Sequence, residues 1–311
     1  MKFLNSLLFS FSIAFSQNLD STSTDIPKPD EYQVKPARLA VIGGSIAVSY
    51  ATFYYALLKD GWWNEVEPFR FEPLYSDNHY ASNLDKFGHF YAGSVIGELL
   101  VMSYDWAGMD PFASTLWAGI TVGVTQIIIE FKDGFSPYGY SVWDAVAGTL
   151  GGFYAMGKRF IPAMQYVDYK FAYWPNSNGY WDEYKKRGET GIWFDDYYGG
   201  NQTHWLSFKV AKMLPSQARE YYPEWLAFAI GWGLHDVYGG PNWEAEWDKV
   251  RYGYYFSLDY DFEAIFCPQK TWSRNLIAIL NRIKFPAPAV RLHPDAKFFP
   301  LHPWYGFSVN F

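Results

Sequence analysis

Hydrophobic positions recur along this chain in two different periods. Four apolar stretches fill its first half, at residues 39–58, 89–104, 112–129 and 142–156. The first holds no charge between Lys35, Arg38 and Lys59, and as a helix it is long enough to cross a bilayer. Its Gly43, Gly44, Ser45, Ala47, Ser49 and Ala51 admit close helix packing. Asp110-Pro111 provides an N-cap and a first-turn proline for the third stretch. Ser141 and Asp144 have capping-box spacing at the start of the fourth, and Lys158 and Arg159 suit its C-terminal end. The pattern predicts a bundle of four apolar helices over residues 37–162, either spanning a membrane or packed compactly.

From residue 163 onward the period shortens to two. In residues 251–262, Tyr252, Tyr254, Phe256, Leu258, Tyr260 and Phe262 share one side, while Arg251, Gly253, Ser257, Asp259 and Asp261 share the other, with Tyr255 out of phase by residue type. Further strands are predicted at 166–173, 191–198, 203–208 and 226–234, separated by glycine and proline turns. Residues 272–283 break the pattern with helical spacing of Leu276, Ile279, Leu280 and Ile283. The last eight residues alternate again, with Tyr305, Phe307, Val309 and Phe311 on one face. That ending resembles the closing strand of an outer-membrane barrel, where a terminal aromatic serves assembly. The fold class expected is therefore mixed α+β and membrane-associated: helices first, then an antiparallel β-rich half that a barrel-like closure would complete.

The N-terminus adds a compartment. Lys2, an apolar run and Ala14-Phe15-Ser16 make residues 1–16 a signal peptide, and the polar stretch 17–36 reads as a spacer. No cysteine stands near that cleavage site, so a lipoprotein is not expected, and Cys267 has no partner for an internal disulfide. A net charge of −7 argues against nucleic acid as a partner. The 15 Trp, 26 Tyr and 26 Phe exceed ordinary usage and suit membrane-interface girdles. Membrane lipid is thus the expected partner, with other envelope proteins a further class.

Chemistry is concentrated in the helical half. Asp85 and His89 lie four residues apart, Glu130 and Asp133 three apart at the end of the third stretch, and Asp144 opens the fourth. Antiparallel helices would bring these five together at one end of the bundle as a candidate catalytic cluster. A histidine with carboxylates can hold a divalent metal that activates water, or act as a general base with a carboxylic acid beside it. The sequence names neither a metal nor a cofactor. A structural explanation covers the same residues: Asp144 as a cap, Asp85 at a helix start, Asp133-Gly134 as a turn, and Glu130 with His89 as a polar junction.

The segment Asp85-Lys86-x-x-His89-Phe90, then Glu130-x-x-Asp133, then Ser141-x-Trp143-Asp144 with Gly148 and Gly151, resembles the YfiM-like family of uncharacterised envelope proteins, domain of unknown function 2279. A weaker resemblance runs to VanZ-like proteins. Residues 202–207, 254–261 and 284–289 are similar to segments of longer family members from Bacteroidota. The resemblance implies an envelope location and no mechanism. The expected function is an envelope membrane protein, in the outer membrane ahead of the inner, with a structural or interaction role. The alternative is a membrane-associated hydrolase acting on lipid or cell-wall material.

Overall fold

The computed structural model describes residues 32–55, 63, 65–175, 196–197, 201–235, 249–303 and 309–310. The signal peptide, most of the spacer, most of the 191–198 strand and the aromatic side chains of the last eight residues lie outside these. The described chain is mixed α+β and divides into two compact units.

The first unit is helical, comprising the residues up to Glu72 together with Ala92–Gly157 and Pro268–Leu276. Its helices are α1 (Pro36–Phe53), most of α2 (Leu84–Trp106), α3 (Pro111–Asp133) and nearly all of α4 (Val142–Phe160). The predicted start signals work as expected. Asp110 accepts from the N–H groups of Phe112 and Ala113, both at 3.0 Å, and Pro111 follows at the first helical position. Ser141 Oγ accepts from the Asp144 N–H at 3.0 Å. The apolar core joins Ile42, Leu100, Val101, Ala107, Ala118, Val122 and Ala155.

Much of this unit is inverted in polarity. On α3 the buried side carries Ser114, Thr115, Gly119, Gly123, Gln126 and Glu130, together with Ala118 and Val122. Its exposed side carries Trp117, Ile120, Val124, Ile127, Ile128 and Phe131. α4 repeats the arrangement: Asp144, Ala145, Gly148, Gly151, Gly152 and Ala155 face inward, whereas Val142, Trp143, Val146 and Leu150 are exposed. A soluble helix turns its apolar stripe to the core. These two turn it out. Among the described residues α3 is the one helix long and apolar enough to cross a membrane.

The second unit comprises Pro73–Tyr91, Lys158–Cys267 and Ile277–Phe311. It is built on a seven-stranded antiparallel meander, β1 (Val167–Tyr173), β2 (Gln202–Phe208), β3 (Leu226–His235), β4 (Arg251–Tyr260), β5 (Ala287–His293), β6 (Lys297–His302) and β7 (Val309–Asn310), paired in chain order. The helix α5 (Thr271–Leu280) precedes β5.

Three expectations need correction. The sheet does not close into a barrel among the described residues, because β1 and β7 do not pair. The free edge of β1 is taken instead by residues 282–284: the Phe171 N–H donates to the Arg282 carbonyl at 3.0 Å and the Lys284 N–H to the Phe171 carbonyl at 2.9 Å. β4 ends at Tyr260 rather than Phe262, since Asp261 caps a helical turn by accepting from the Glu263 N–H at 3.1 Å. Tyr255 is no exception to the alternation. It points to the buried side beside Trp205, in phase with Gly253 and Ser257. β5 and β6 carry Pro288 and Pro300, which break any strand signal in the sequence.

Register sorts the sheet residues by face. Asp168 sits opposite Ser207, Lys170 opposite Trp205, and Trp205 opposite Gly231. Ala227 faces Asp259, and Gly231 faces Tyr255. This inner face is buried. Gly231 has to be glycine because a Cβ there would stand 2.4 Å from the Trp205 ring. On the outer face, Phe87 packs on Trp232 and His204, and Phe90 and Tyr91 pack on Tyr169 and Phe171, which covers β1, β2 and the end of β3.

Candidate functional site

The helix register that builds the candidate site follows from glycines. A Cβ on Gly93 would meet the Gly148 carbonyl oxygen, and one on Gly97 the Gly152 carbonyl oxygen, so α2 and α4 run parallel with backbones touching. Gly119 lies against Phe153, Gly123 against Thr149, and Gly148 against Gln126, so α3 runs antiparallel to α4. The last turn of α3, which carries Glu130, therefore meets the first turn of α4, which carries Asp144. One turn back along the unbroken helix α2 from Gly93 is His89.

Within the helical unit, a carboxylate oxygen of Glu130 lies within 4.8 Å of one of Asp144. Glu130 and Asp144 are buried and His89 is half-buried. Glu130 is oriented by the Ser141 backbone N–H, which donates to its Oε2 at 3.1 Å. Two buried carboxylates this close can share a divalent ion, with the Ser141 amide as an outer partner fixing one of them.

Asp85 and Asp133 each hold a further partner, and the Asp133 carboxylate still interacts with the Asp144 charge. Asp85 is paired with Lys86 at 2.9 Å, and Lys86 also pairs with Asp77. Asp133 accepts from the Trp63 Nε1–H at 2.6 Å, and the Lys132 ammonium lies over the Trp63 ring. Trp63 stands in an aromatic, proline-containing connection whose sequence carries no spacing that would point to Asp133.

Sequence reasoning missed a second polar assembly, on the inner face of the sheet. Lys170 pairs with Asp259 at 3.0 Å, and Lys284 approaches the same carboxylate at 3.6 Å. Asp168 pairs with Lys209 at 3.0 Å and with Lys158. Lys209 and Lys212 both reach Asp261 and Glu263. Burial pushes the Lys209 ammonium toward neutrality, but Asp168, Glu263 and Asp261 outweigh it and hold its pKa above the ordinary lysine value. Burial raises Glu263, yet Lys209 and Lys212 bring it below the ordinary carboxylate value. Lys284, where burial dominates and Asp259 only partly offsets it, is lowered to about 8. Each of these charges belongs to a network, which is how buried ions are tolerated. The alternation in β1 and β4 was the available signal, since Asp168 with Lys170 and Ser257 with Asp259 share one face each.

His204 is fully buried among Tyr169, Phe171, Trp232 and Phe87, with Nδ1 2.9 Å from the Tyr169 hydroxyl.

Residues 72–157 match the family model described as "Predicted periplasmic lipoprotein (DUF2279)". The match takes in the His89, Glu130 and Asp144 positions and the Gly93, Gly97, Gly148 and Gly152 contacts. No curated protein and no solved structure matches the chain.

Proposed function

We propose that this chain, whose residues 72–157 belong to the DUF2279 family, is an integral membrane protein of the cell envelope with a structural or interaction role in the outer membrane. The observation that carries this reading is the inverted polarity of α3. At roughly 1.5 Å per residue, its 23 residues extend beyond the hydrocarbon core of about 30 Å. Its exposed side is aliphatic and aromatic, while small and polar residues meet the neighbouring helices, as in membrane bundles. The family's description as periplasmic supports an envelope location. Cys267, the chain's one cysteine, lies outside the matched segment, so α3 offers a membrane anchor that needs no lipidated cysteine.

Density separation of inner and outer membranes, followed by alkaline carbonate washing, tests both parts. Carbonate-resistant protein in the outer-membrane fraction is the expected result. Release by carbonate overturns the integral reading, and resistant protein in the inner-membrane fraction overturns the outer-membrane assignment.

A second reading is favoured by the approach of Glu130 and Asp144, with His89 one turn before Gly93 on α2. Those residues would hold a divalent ion whose bound water attacks a lipid or cell-wall substrate, making the chain a membrane-associated hydrolase. Metal content of the purified protein and of His89→Ala checks it. Stoichiometric metal in the parent, lost from a variant that still melts cooperatively, supports a metal site; a metal-free parent removes the basis for this reading.

A further inference from the structure

The open part of the sheet's outer face lies over β3–β5 and is built by Phe228, Ile230, Tyr254, Phe256 and Leu292. Ile230 is 51% exposed, Phe256 45% and Leu292 62%. Phe228 and Phe256 stack across the strand pair with centroids 5.6 Å apart. On this face β3 and β4 present Leu226, Phe228 and Ile230, then Tyr254, Phe256, Leu258 and Tyr260, while Trp232, Leu234 and Tyr252 lie under Ala81, Leu84 and Phe87. Not one of these is charged. Asp259 of β4 turns to the buried side, where small residues such as Ala229 and Gly231 make room for Trp205 and the lysine–carboxylate network. A water-facing antiparallel sheet has the opposite distribution.

We infer that this open face is a lipid-contacting surface, seated against acyl chains of the envelope membrane. The inference rests on the membrane reading above and adds a second lipid contact to that of α3. The chemistry of the face selects the occupant. The middle of the face, at Ile230, Phe228 and Phe256, has only hydrocarbon to offer. Aromatic residues with polar edges stand toward its two ends: Tyr254 at one, and Trp225 stacked on Tyr260 at the other. Such residues sit at membrane–water boundaries. From Tyr254 to Tyr260, six residues at roughly 3.3 Å each cover about 20 Å, close to the apolar band of about 25 Å in membrane sheets. Beside the Tyr252–Tyr254 end, Lys249 and Arg251 are exposed, at the level where anionic lipid phosphates would lie.

The test uses the full chain in phosphatidylethanolamine/phosphatidylglycerol vesicles. In a Cys267→Ser background, single nitroxide labels are placed at Ile230→Cys, Phe256→Cys, Ile128→Cys on the exposed side of α3, and Tyr221→Cys as a water-exposed reference. Collision with oxygen, which concentrates in lipid, is compared with collision with a water-soluble nickel chelate. The expected result is a higher oxygen-to-nickel ratio at 230, 256 and 128 than at 221. If 128 reports lipid while 230 and 256 report water, the inference is overturned and the membrane reading stands. If 230 and 256 are shielded from both reagents, a second protein copy covers the face, and the inference is likewise overturned. A water signal at 128 as well removes the membrane reading itself. Labels at two exposed positions guard against one failing through local misfolding.

Discussion

A Cβ placed on Gly93 would stand 2.2 Å from the carbonyl oxygen of Gly148. The obstacle is backbone, so no side-chain rotation relieves it. This contact sets α2 parallel to α4 within the helical unit.

Gly93→Ala should therefore cost about 1–3 kcal/mol through overpacking. Gly88 lies on the same helix, and a Cβ added there would meet nothing within 4 Å. Gly88→Ala should stabilise the protein by about 0.5–1 kcal/mol through helix propensity alone. Thermal melts of both variants in detergent check the opposite signs, and equal effects would show that the two helices are not in backbone contact.

Ser141 caps α4 through its hydroxyl and orients Glu130 through its amide. Ser141→Ala removes only the first and should cost about 1 kcal/mol, whereas Ser141→Thr, which keeps an uncharged capping hydroxyl, should cost less. Chemical denaturation of the two variants distinguishes them.

Asp259 lies between two lysines, Lys170 at 3.0 Å and Lys284 at 3.6 Å. Lys170→Met leaves the carboxylate one partner. Asp259→Asn leaves two buried cations without their counter-charge and should be the more damaging, by about 3–5 kcal/mol against the parent. Equal losses for the two would mean that Lys284 contributes nothing to the pair.

The Lys209–Glu263 contact predicts a pH dependence. The folded carboxyl titrates below its ordinary value of 4.5, so its contribution is present above that pH and disappears as pH falls toward the depressed value. Lys209, raised in the fold, keeps its charge throughout that range. Melting temperature should drop on acidification below about pH 4.5, and Glu263→Gln should flatten the drop. A parent and variant with parallel pH profiles would place the acid sensitivity in other carboxylates.

Parts of this were legible in residue order because the relevant physics is local. Asp110-Pro111 and Ser141 start helices through bonds that reach two or three residues. Alternation in 251–260 set the faces of β4, because successive side chains must point to opposite sides. The DUF2279 motifs could be read for the same reason, as residues at short spacings on two helix starts and one helix end.

Other features depended on partners distant in sequence. Closure of the barrel is decided by which segment reaches the edge of β1, and residues 282–284 reach it more than a hundred residues downstream. Five acidic and histidine residues shared one spacing argument, yet Asp85 pairs with Lys86 and Asp133 accepts from Trp63, while Glu130 and Asp144 meet across the ends of α3 and α4. By itself the sequence determined helix starts, strand faces and an apolar excess. The tertiary structure decided which side of each element is buried, because only packing reveals that α3 and α4 turn mostly small and polar residues inward and leave aliphatic and aromatic ones exposed.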